Sequence, residues 1–160
     1  MPPLTKAALL DAIEAAFGSV AHPGWKDTWE SPSLECSYEY EELEREIPEG
    51  MHWRDISVQS LRGSSFLLLV VPRAFPYVAA AYLWKLIDDP EELDAGCDVI
   101  VDWDRAGFLP TLAAEQMASL TDDQYEVMIE CAKYRAADPD FFNAVEFARA
   151  IPRWMALRGR

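Results

Sequence analysis

The chain has 160 residues, with 14 Lys and Arg against 28 Asp and Glu, for a net charge of −14. At 51% hydrophobic and 12% aromatic it has enough apolar surface for a core without metal or disulfide staples, and too much for wholesale disorder. The acid surplus argues against a nucleic-acid binder, which must neutralise phosphates with Lys and Arg, and against docking on an anionic membrane. The length fits a single domain spanning residues 1–160.

Thr5 is placed to cap a helix running to Phe17, with Leu9, Ile13, Ala16 and Phe17 as its apolar stripe and Gly18 as its stop. The stretch Ser19–Pro32 reads as a loop and carries Trp25 and Trp29. From Ser33 to Tyr40 the sequence alternates with period two, the pattern of a strand, although a helix beginning near Cys36 is a serious rival. Ser57 caps a short helix through Arg62, which Gly63 ends. Phe66–Val71 is a buried strand or a covered extended segment. Pro72 then opens the clearest helix, with Phe75, Val78, Ala79, Tyr82, Leu83 and Leu86 on one face, and Asp88-Asp89-Pro90 stops it.

Cys97, Val99, Val101 and Trp103 alternate with Asp98, Ile100 and Asp102, which predicts a short strand. Thr111 starts a helix to Leu120, and Thr121-Asp122-Asp123-Gln124 has the form of a capping box. The helix it opens places Tyr125, Met128, Ile129 and Ala132 on one face. Asp138 and Pro139 open a last helix filled by Phe141, Phe142, Val145 and Phe147. Pro152 ends or kinks it, leaving a basic tail from about Arg153. The expected fold is one compact, mainly α domain with two or three short strand pieces.

Cys36, Cys97 and Cys131 form no CxxC pair, and an odd, scattered set fits a reducing cytosol. Asp11 and Glu14 interrupt the first apolar stretch too early for a secretory signal. Phe66–Val71 falls far short of the roughly 20 residues that span a bilayer. A cytoplasmic protein is expected. There is no phosphate-cradling glycine motif, nucleophile elbow or HExxH pair, so no cofactor is expected. Cys36 with His52 has the residue types of a nucleophilic dyad without any specific spacing, and His22, Cys36 and His52 lack close zinc-ligand spacing. Asp98, Asp102 and Asp104 have the residue types of a metal-dependent hydrolase, but no surrounding motif, and a solvated acidic loop is the plainer account.

Charge is segregated along the chain. Asp27–Glu49 carries nine acids and one base, and Asp88–Asp104 eight acids and no base. Tryptophans lie within both stretches. Aromatic anchors ringed by charge are typical of protein–protein hot spots, although any one Trp is as readily core. The candidate partner-binding residues are Trp29, Glu30, Glu35, Glu39, Glu42, Asp98, Asp102, Trp103 and Asp104, facing a basic protein.

The stretch His52-Trp53-Arg54-Asp55-Ile56, then Leu61, Val71-Pro72-Arg73-Ala74-Phe75-Pro76-Tyr77-Val78 and Ala81-Tyr82-Leu83 resembles an uncharacterised bacterial family of about this length. The helix end Ala16-Phe17, Leu34-Glu35-Cys36 and Leu120-Thr121 with Gln124 are similar too. Ala80, where the family pattern often has proline, and the tail beyond Pro139 depart from it. The resemblance implies a fold unit without a catalytic residue. It fits small accessory proteins of bacteria, a class that includes toxin-neutralising immunity proteins.

Overall fold

The computed structural model describes residues 4–25, 41–63, 70–93, 95–104 and 110–159. Nine helices lie among them. They are α1 (Lys6–Phe17), α2 (41–46), α3 (Val58–Gly63), α4 (Phe75–Asp88), α5 (Pro90–Leu93), α6 (Ala95–Asp102), α7 (Pro110–Ser119), α8 (Asp122–Ala136) and α9 (Ala144–Arg158). Among the described residues there is no strand beyond a lone bridge residue at Val70.

Helix α4 is the axis of the fold. Its Phe75, Val78, Ala79, Tyr82, Leu83 and Leu86 are buried as the spacing requires, but so are Tyr77, Ala80, Ala81 and Ile87 on the other faces. A helix apolar all round is one enclosed by others. Here α1, α3, α5, α6, α7 and α8 all pack against it. Pro72 forms a 3₁₀ turn with Arg73 and Ala74 before the α-helix proper. The aromatic polar tips fasten α4 to flanking loops: Tyr82 donates to the Leu61 carbonyl at 2.7 Å and Tyr77 to that of Met51 at 2.8 Å.

Local signals define the starts of α1, α3 and α8. Thr5 Oγ1 accepts from the Ala8 N–H at 3.2 Å, and Ser57 Oγ from that of Ser60 at 3.1 Å. The capping box at Thr121 is complete, and the Gln124 amide also donates to the Ala16 carbonyl at 3.2 Å, tying α8 to the end of α1. Gly18 ends α1 in right-handed conformation, so chirality does not demand a glycine there. Space does, since a Cβ would lie 2.5 Å from the Glu14 carbonyl oxygen.

Three expectations need correction. Residues 97–102 form helix α6, not a strand. Cys97, Ile100 and Val101 are buried at i, i+3 and i+4, and Ile100 occupies a position that period two assigned to the polar side. The last helix begins at Ala144 rather than at Pro139, because Asp138 accepts from the Asp140 N–H at 3.1 Å and turns the chain. It then runs through Pro152 to Arg158, so Arg153–Arg158 is helix and not a tail. The strand expected at 33–40 lies outside the described residues, as does most of Phe66–Val71.

Candidate interaction site

Four basic side chains among the described residues reach backbone carbonyls at the ends of other helices. Arg135, on α8, is buried and donates through Nε and a terminal nitrogen to the Leu86 carbonyl at 2.9 and 2.6 Å, and to that of Ile87 at 3.1 Å. These are the last carbonyls of α4, which no intrahelical N–H can satisfy. Lys6 reaches the same helix end at the Asp88 carbonyl, at 2.6 Å. Arg153, on α9, donates to the Val101 carbonyl at 2.8 Å, near the end of α6. Arg158 donates to the Met117 and Leu120 carbonyls at 3.0 and 2.8 Å, where α7 ends. Four cations thus close the C-termini of three other helices. The macrodipole favours positive charge there, by up to about 2 kcal/mol where partly buried.

This arrangement decides the fate of the second acidic run. Asp104 is enclosed, with its two oxygens each 3.0 Å from Arg153 and one of them 3.4 Å from the Trp154 indole N–H. The Asp104 hydrogen bonds raise the pKa of Arg153 above its ordinary value, against the opposing effect of burial. Asp104 is therefore an internal partner and not the rim charge expected of it. Trp103 is only 1% exposed, packed 5.0 Å from Phe75 and 6.5 Å from Trp154 between ring centroids, so it is core rather than anchor. Asp98 and Asp102 do lie at the surface, Asp102 being 3.7 Å from Arg153. Among the described residues no three His, Cys, Asp or Glu side chains are grouped to hold a metal ion.

Of the first acidic run, Glu42 is half exposed and pairs with Arg45 one helical turn on, at 3.3 Å. Trp29, Glu30, Glu35 and Glu39 lie outside the described residues, as does Cys36. Each histidine serves a turn. His22 Nδ1 accepts from the Gly24 N–H at 3.0 Å, and His52 Nδ1 from that of Arg54 at 3.2 Å. With Nδ1 accepting, His22 carries its hydrogen on Nε2 and donates to the Ile47 carbonyl at 3.2 Å. Cys97 and Cys131 are buried free thiols.

The exposed apolar side chains missed in the sequence are Phe142, 59% exposed, and Val145, 62% exposed at the start of α9. Next to Phe142, the Asn143 amide donates to Asp98 at 2.9 Å, which brings this apolar pair to the edge of the second acidic run. Sequential ring contacts lead inward from Phe142 through Phe141, Phe147, Trp154 and Trp103 to Phe75. A helical wheel drawn from Phe147, Ala150 and Trp154 would have turned Val145 away from the core. The site is therefore a patch on a helical domain, with two apolar side chains, two surface carboxylates and no enclosed reactive centre among the described residues. Comparison with protein-family models, curated proteins and solved structures finds no match.

Proposed function

We propose that this chain is a non-enzymatic acidic protein-binding module, in its most concrete form a cytoplasmic immunity protein that binds and neutralises a basic bacterial toxin. The observation that carries this reading is the excess of 28 acids over 14 bases, concentrated in two runs, with an exposed apolar pair at the edge of the second. Lys6, Arg135, Arg153 and Arg158 also pair with Asp88, Asp138, Asp104 and Asp122, and 14 acids remain in excess over all the bases together. A field of one sign raises the encounter rate with a cationic partner. Phe142 and Val145 then supply the apolar contact, bordered by Asp98 and Asp102, with Glu42 and the first acidic run contributing at long range. The resemblance of the Trp53-Arg54-Asp55 and Ala81-Tyr82-Leu83 segments to a bacterial family of small accessory proteins belongs with this reading.

The alternative of a metal-dependent hydrolase on Asp98, Asp102 and Asp104 has no such support, since Asp104 is committed to Arg153. The test begins with a pull-down from the native host, using wild-type bait and an Asp98→Asn/Phe142→Ser double variant. A basic protein retained by the first and lost by the second is the expected result. Its association rate should fall steeply between about 50 and 500 mM salt, over which the Debye length shrinks roughly threefold. A rate indifferent to salt overturns the reading, as does reproducible hydrolysis of an ester or phosphodiester that Asp102→Asn abolishes.

A further inference from the structure

A groove of about 320 Å³ runs between α1 and α8, on elements other than helix α6, which carries Asp98, and the turn that carries Phe142. Its floor is apolar and low, made by Ala12, Ala15 and Ala16 of α1 with Val127 of α8. Asp123, Glu126 and Glu130 line its other edge. With Val127 they fall at i, i+3, i+4 and i+7, a spacing that normally marks an apolar stripe. Here three of the four positions are acidic. The opposite face of α8 already faces the core through Met128, Cys131 and Ala132.

The geometry points to a second docking surface, for a cationic amphipathic helix of a partner protein. Three features select that occupant. Alanines let a helix backbone approach closely, in the helix-in-groove mode of recognition. The volume is at the low end of small-molecule pockets and the groove is open, which suits a row of side chains better than an enclosed ligand. Charge complementarity decides the rest. Lys133 pairs with Glu130 at 2.7 Å, while Asp123 and Glu126 have no cationic partner among the described residues. Lys or Arg along one edge of the incoming helix would pair with them. A second copy of this chain is the wrong occupant, because two bodies of charge −14 repel.

The probe is a peptide of about 14 residues built of Leu and Lys, with leucines at helical spacing, set against the same peptide with Glu for Lys. Amide chemical shifts of the full chain are followed during titration. The Leu/Lys peptide should perturb the Ala12–Ala16 and Asp123–Glu130 segments. Glu126→Lys and Ala15→Arg should each weaken it at least tenfold while leaving the rest of the spectrum in place. Phe142→Ser should leave the affinity unchanged, so failure here is separable from failure of the toxin-binding reading. Shifts scattered over the acidic surface or centred on Asp98 overturn the proposal. So do equal binding of the Leu/Glu peptide, indifference to both groove variants, and self-association of the free chain through this groove.

Discussion

Arg135 keeps its charge inside the protein because the end of another helix receives it. Burial lowers its pKa, while Tyr134 and Asp138 act in the opposite direction. A guanidinium starts so high that it stays protonated. Phe141 covers it at 4.8 Å from ring centroid to guanidinium carbon. Arg135→Met keeps much of the stem but leaves the Leu86 and Ile87 carbonyls without donors. At about 1–3 kcal/mol for each orphaned buried acceptor, urea unfolding should report a loss of about 3 kcal/mol. Arg135→Lys should recover only part of it, since one ammonium lacks the guanidinium fork. Burial also pushes the Cys131 thiol and the Tyr77 phenol up, with Arg135 partly opposing the first and Asp55 adding to the second. The folded state thus holds both protons to higher pH than the unfolded chain does. Their contribution to stability is complete below about pH 8.5, the unfolded thiol's value. It is lost progressively above that and above about pH 10 for the phenol, until the folded-state values are reached. Unfolding free energy measured at pH 7.5 and pH 10 should be lower at pH 10, and Cys131→Ala should reduce the difference.

Among the elements, those with explicit end chemistry were legible from sequence and those shaped by distant partners were not. Thr5, Ser57 and the Thr121–Gln124 box marked the starts of α1, α3 and α8 because their hydrogen bonds join residues three apart. The short segment 97–103 fits either period, and only the enclosure of Ile100 by its neighbours decides for a helix. The start of α9 is delayed past Pro139 by the Asp138 turn, and the contact from Asn143 to Asp98, 45 residues away, is one that no local pattern encodes. Pro152 inside α9 follows the same logic. Trp154 is buried beyond it and Arg153 and Arg158 bind other helices, so tertiary contacts carry the helix through a residue that local propensity would stop at. Pro152 is exposed and its helix persists, so Pro152→Ala should raise stability, by up to about 3 kcal/mol on intrinsic propensity. Calorimetry would read this as a higher Tm, and an unchanged or lower Tm would mean the proline bend itself is needed.

At the scale of the molecule, the sequence announced the charge and the helical class but took Trp103, a core residue, for an anchor. Composition cannot tell which tryptophan is enclosed, and Trp103 sat among acids while its ring lay on Phe75. The exposed pair Phe142 and Val145 separates binding from stability. Phe142→Ser should change unfolding free energy by no more than about 0.5 kcal/mol, as surface changes do. It should speed dissociation of a bound basic partner about 30-fold, the equivalent of about 2 kcal/mol for a hot-spot residue. Glu42→Gln with Asp98→Asn should instead slow association and flatten its salt dependence. Surface plasmon resonance at several salt concentrations separates the two effects.

The arginine closures also impose an order in time. Arg135, Arg153 and Arg158 lie late in the sequence, yet the carbonyls they bind end α4, α6 and α7, which the ribosome delivers earlier. A nascent chain that has emerged only as far as Ser119 possesses those three helices with none of the three guanidiniums that finish them. Domains commonly begin to fold as they emerge, at synthesis rates of about 5–20 residues per second. Until α8 emerges the central helix has only the Lys6 contact at its C-terminus, so cooperative folding requires the emergence of α8 and α9. A stalled chain ending before Arg135 should accordingly be protease-sensitive throughout α4, and extension past Arg158 should protect it in a single step.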